Sequence, residues 1–112
     1  MTEHAWVKEL PIIITVSDAE NTIIEMNDRS AGYFEGDGGD LLIGSDVMAC
    51  HPELARSKLQ SMIDTEKTNV YSFEESGKKM LVYQMPWYVK GDYAGYVEMI
   101  MEIPDEIPHH AG

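Results

Sequence analysis

The sequence predicts an α+β fold, and three observations predict it. Residues 69–101 read as three successive antiparallel strands, NVYSFEESGK, KKMLVYQMPWY and YAGYVEMIME, with glycine turns between them. Two shorter strand-like runs, PIIITVSD and NTIIEMN, open the chain. One well-patterned helix, PELARSKLQSMID, lies between the two groups. That order of elements fits a sensory or docking module better than a catalyst.

The elements follow from local chemistry. In residues 1–10, Ala5, Trp6, Val7 and Leu10 have the spacing of a short amphipathic leader helix, stopped by Pro11. Ile12, Ile13, Ile14 and Val16 are β-branched and nearly continuous, as in a buried strand. Ser17 to Asn21 supplies turn chemistry, and Thr22 to Met26 returns as the second strand of a hairpin. Asn27 is an N-cap candidate, with Asp28 in the first turn, where the helix dipole favours an anion.

The helix after Asn27 is short, because Gly32 and the loop from Gly36 to Asp40 interrupt it. Leu41 to Met48 reads as another helical turn or two, broken at Gly44. Pro52 stands at the first position of the main helix, whose apolar stripe is Ala55, Leu59, Met62 and Ile63. Residues 11–103 therefore form one domain, with a leader at 1–10 and a short tail at 104–112.

Charge bounds the partners. Twenty acidic residues against eight basic ones leave a net charge of -12, and no basic stripe interrupts it. Such a chain repels phosphate backbones and anionic membrane surfaces, so neither nucleic acid nor membrane is an expected partner. A single cysteine, Cys50, rules out an internal disulfide. No charged-then-apolar signal segment and no run of ~20 apolar residues is present, so a cytoplasmic location is expected.

Taken together, the pattern resembles the PAS family over roughly Pro11 to Ile103. ITVSDAENTIIEMN is similar to the family's first hairpin and the Asn that starts its first small helix. IGSDVMACHPE resembles its segment of Gly, short helix, His-Pro and long helix, with Gly44, His51 and Pro52 in those places. KGDYAGYVEMIMEI resembles its last hairpin, with Gly91 and Gly95 leading into the final strand. The resemblance implies a five-stranded antiparallel sheet in the order 2-1-5-4-3 with helices over one face. It also implies a ligand site between that face and the helices, and a role in detection, dimerisation or docking.

Alternation then selects candidate ligand-binding residues. If Glu98 and Glu102 point to solvent, Val97 and Met99 point inward, and Leu81, Tyr83 and Met85 share a parity on the strand before. Tyr33, Met48, His51, Met62 and Phe73 complete the expected pocket. Met80 and Val82 would lie on the opposite face, which the leader's Trp6, Val7 and Leu10 or a second subunit would cover. A homodimer or a signalling partner is the expected assembly. Eight methionines give an adaptable interior.

Specific chemistry is harder to assign. The resemblance raises haem through a histidine near the long helix, but His51 immediately precedes Pro52 rather than sitting inside the helix, which disfavours haem. Cys50 lies in Met-Ala-Cys-His-Pro-Glu rather than the flavin branch's Asn-Cys-Arg-Phe-Leu-Gln, which disfavours flavin more strongly. The loop EGDGGD lacks the Lys and Ser/Thr of a phosphate loop, and counting from Asp37 its twelfth position is Met48 rather than a calcium-binding Glu. His109 and His110 alone make a poor metal site, and no metal is expected. A ligand-free docking module is the alternative reading. An isomerase or hydrolase pairing His51 with Glu53 or Asp46 is the third.

Overall fold

The computed structural model describes residues 5–50 and 53–112. Its frame is one antiparallel sheet of five strands: β1 (Ile13–Asp18), β2 (Ile23–Met26), β3 (Asn69–Glu75), β4 (Lys78–Val89) and β5 (Asp92–Glu102). Their spatial order is β2-β1-β5-β4-β3, so the last strand lies beside the first. Helix α1 (Ala5–Lys8) precedes β1; α2 (Asp28–Tyr33), three short 3-10 turns (Glu35–Asp37, Gly39–Leu42, Val47–Cys50) and α3 (Glu53–Asp64) lie between β2 and β3. Residues 104–112 are exposed and form no helix or strand.

Turn chemistry sets the three hairpins. Asp18 Oδ1 accepts from the backbone N–H of Glu20 at 2.9 Å and of Thr22 at 3.0 Å, closing the first turn. Ser76-Gly77 and Lys90-Gly91 both take positive φ at the two central positions (53° and 77°, 51° and 87°). That is the turn geometry whose twist matches antiparallel strands. Pro86 falls where β4 has already run past the end of β3 and pairs only with β5. The prolyl nitrogen, which has no hydrogen to donate, therefore costs no ladder bond there, and a bulge follows between Trp87 and Tyr88.

Asn27 joins three elements at once. It caps α2, accepting from the Ser30 N–H at 3.0 Å, and it accepts from the Ile14 N–H of β1 at the same distance. Its Nδ2 donates to the carbonyls of Ile12 at 2.8 Å and Val7 at 3.2 Å, which ties α1 to the sheet. At 3% exposure it is a buried amide with its capacity used.

The sheet's two faces are opposite to the expected ones. Paired residues share a face, and the ladder aligns Ile13, Ile100 and Val82 in one row and Thr15, Glu98, Gln84 and Asn69 in the next. Ile13, Val82 and Ile100 are the core under the helices, with Phe34, Phe73 and Met80 against them. Glu98 therefore points toward the helices, and Val97 and Met99 point away, onto the face that α1 borders. A second core sits below α3, where Leu59 and Ile63 pack on Tyr96 with Met48, Met62 and Tyr93 around them. No described helix is long and apolar enough to cross a membrane.

Candidate functional site

Between the inner face of the sheet and the short helices lies a cleft of about 210 Å³. Tyr33 and Phe34 of α2 enter from the helical side, with Leu42 and Val47 from the 3-10 turns. Thr15, Ile23, Tyr71, Phe73, Glu98 and Ile100 come from the strands. The helices there are short because Gly38 and Gly39 both take positive φ (121° and 57°) and turn the chain from one 3-10 turn into the next. The Tyr33 and Phe34 rings meet edge to face at 5.0 Å.

Thr15 and Glu98 bring polar groups to the sheet side of the cleft, and a chain of amides beside it ends on Glu98. Asn69 Nδ2 donates to Gln84 Oε1 at 2.9 Å, and Gln84 Nε2 donates in turn to Glu98 Oε2 at 2.7 Å. The chain of amides thus delivers an N–H to the carboxylate, the stronger kind of hydrogen bond. Thr15 Oγ1 and Ser30 Oγ share a hydrogen bond of 2.6 Å between sheet and α2, both side chains buried. Tyr33 donates its hydroxyl to Glu75 Oε2 at 3.0 Å.

The tyrosines register this environment. Burial, the bond to Glu75 and neighbouring carboxylate charge push the Tyr33 hydroxyl up to about 12. Burial raises Tyr71, and the charge of Glu98 raises it further. At the other end of the sheet, burial above all pushes Tyr96 up to about 12, and its hydroxyl donates to the Lys67 carbonyl.

Only part of the expected pocket assembles here. Tyr33 and Phe73 line the cleft. Met48 and Met62 belong instead to the core around Leu59, Ile63 and Tyr96. The expectation for Leu81, Tyr83, Met85, Val97 and Met99 is corrected: alternation puts them on the outer face, where Met99 pairs with Tyr83 and Val97 with Met85. Met80 and Val82, expected at an interface, are likewise corrected to the inner core, Val82 with no exposed surface. His51 and its proposed pairing with Glu53 or Asp46 lie outside the described residues and side chains. Thr15, Tyr71 and Glu98 were missed, although Thr15, Gln84 and Glu98 share a parity that a correct register would have aligned.

The outer face carries a broader, shallower groove of about 460 Å³. Trp6, Val7 and Leu10 of the leader border it, with Ile14, Val97 and Met99 on its floor, so the leader lies against the face opposite to the one expected, which was to carry Met80 and Val82. Trp6 is 69% exposed and Ile24 44% exposed, so a sizeable apolar surface meets solvent there. Among the described residues no group of three or more His, Cys, Asp or Glu is placed to hold a metal ion.

No family model matches the sequence, and no curated protein matches it. Solved structures do match its fold. The C-terminal domain of a Streptococcus mutans protein superposes with a TM-score of 0.71 at 20% identity, covering 87% of this chain and 79% of that one. The PAS domain of Bordetella pertussis BvgS gives 0.65 at 18% identity, covering 89% and 82%. The Vibrio cholerae Aer2 receptor, described as a dual PAS-heme oxygen sensor, also gives 0.65, at 14% identity over 83% and 95%.

Proposed function

We infer, from the PAS fold that this chain has, that it is a sensory or signalling module that takes a small molecule between the sheet and the short helices. The observation that carries this reading is the cleft itself. Its walls are apolar and aromatic, its floor holds a few fixed polar groups, and that combination is what small-molecule sites share. At about 210 Å³ it is smaller than the ~300–1,000 Å³ that drug-sized ligands occupy, which favours a compact ligand. The groups that the described residues bring to the lining are those of a binding site, and the reading is one of binding.

The proposed mechanism is a population shift. A ligand touching Tyr33 and Phe34 would favour one arrangement of α2 and the 3-10 turns. Asn27, which holds the start of α2 and the carbonyls of the leader together, links that arrangement to α1 on the outer face. There the apolar groove would pair with a second copy or a signalling protein.

A ligand-free docking module is the second reading, and the exposed apolar outer face favours it. A thermal-shift screen of metabolites on the wild type and on Leu42→Trp, which fills the cleft, separates the two. Hits that raise the wild-type melting temperature and vanish in the variant support binding. A wild type that responds to nothing, yet self-associates, supports docking alone.

A further inference from the structure

The charge inside the cleft narrows what it would take. Glu98 brings a carboxylate onto the floor, and among the described residues neither Lys, Arg nor His lines the cleft to balance it. The ion pairs found among the described residues, Lys8 with Asp28 and Lys78 with Glu102, lie elsewhere. Among the described residues Gln84 is its one hydrogen-bond partner, and that bond occupies Oε2. A partly buried carboxylate with no basic side chain in its cleft offers an acceptor to a cation or a donor that enters there.

The walls suit the same occupant. Tyr33, Phe34, Tyr71 and Phe73 converge on the cleft from both sides, and aromatic faces attract a cation as well as its apolar body. The Asn69–Gln84 amide chain ends in an N–H donated to Glu98 Oε2, which holds the carboxylate in place on the sheet. A net charge of -12 over the chain further discourages anionic ligands.

Resting on the ligand reading above, we propose that the cleft is selective for a small organic cation, a primary ammonium on an aromatic or aliphatic body, with Glu98 as its counter-ion. Phosphorylated and carboxylated molecules are then the wrong class for this site.

Calorimetric titration with benzylamine, benzyl alcohol and benzoate tests it, because the three share a body and differ in the head group. The wild type is expected to bind the ammonium at least tenfold tighter than the alcohol and to give no heat with benzoate. Glu98→Gln keeps an acceptor for Gln84 and removes the charge, so it should fold and bring ammonium and alcohol to the same affinity. Equal affinities in the wild type, or a preference that survives in Glu98→Gln, would overturn the cation assignment while leaving a ligand cleft intact. Absence of binding by all three, each tested to its solubility limit, would overturn the cation assignment, and metabolite hits lost in Leu42→Trp would then show that the ligand reading stands without it.

Discussion

Gln84 donates to Glu98 at 2.7 Å on the helix-facing side of the sheet, so the most polar row of the three long strands is turned inward. Replacing Gln84 by Leu would strand Asn69 and leave Glu98 without its donor. The expected cost is about 1–3 kcal/mol, the usual penalty for leaving such groups unpaired. Urea unfolding of Gln84→Leu checks it, and a variant as stable as the wild type would show that the amide chain adds nothing.

Trp87 makes a comparable bond across the sheet. Its indole Nε1–H donates to the Ser17 carbonyl at 3.0 Å, passing over Gly95. A Cβ on Gly95 would sit 1.9 Å from that carbonyl oxygen and 2.6 Å from the indole nitrogen, at a φ of +154°. Gly95→Ala is therefore expected to destabilise the chain by about 3 kcal/mol or more. Equilibrium unfolding alongside Gly91→Ala, whose site has open space, isolates the close approach from backbone strain.

Asn27 should behave as a hinge pin. Asn27→Ala removes the α2 cap, worth ~1 kcal/mol, and the donor to the carbonyls of Val7, Leu10 and Ile12. Asn27→Asp keeps the acceptors toward Ile14 and Ser30 but turns a carboxylate on the carbonyls of Val7 and Ile12. Hydrogen exchange in Asn27→Asp is expected to accelerate at residues 5–10 more than in α2. Uniform acceleration would contradict a selective tie to the leader.

The raised tyrosines make an alkaline limit. A group whose folded pKa lies above its unfolded value binds its proton more tightly in the native state. Tyr96 and Tyr33, both at about 12 against an ordinary 10, thus contribute stability in full below pH 10. That contribution disappears as pH climbs from 10 to 12. Tyr96 carries more of it, being 4% exposed where Tyr33 is 37% exposed and partly screened by water. Tyr96→Phe should flatten the fall of stability with pH across that window, and an unchanged slope would contradict the assignment.

If the outer groove pairs copies of the chain, Met99→Glu puts a charge into its floor. Self-association measured by sedimentation is expected to weaken by an order of magnitude or more, with affinity in the inner cleft unchanged.

Much of the fold was legible because its signals are local. The β-branched run at Ile12 to Val16, the Asn27 cap and the glycine turns each specify backbone shape without reference to distant residues. The facing of the long strands was not legible. Period-two alternation sorts β5 into Val97, Met99, Met101 and Glu98, Ile100, Glu102, but does not say which set meets the helices. The rule that carboxylates face water chose the wrong set, because Glu98 finds Gln84 across the ladder and Val97 and Met99 border a groove under the leader. Tyr71 and Thr15 were missed for the same reason, since each looks like an ordinary strand residue until the register brings it to the cleft.

The central claim, that the inner face and not the outer one takes the small molecule, is open to a direct reading from methionine methyl resonances. Met26 lines the inner cleft and Met99 the outer groove. On titrating benzylamine into the full chain, the account predicts that the Met26 methyl shifts and saturates while Met99 stays in place. A saturating shift at Met99 with Met26 unmoved would contradict it.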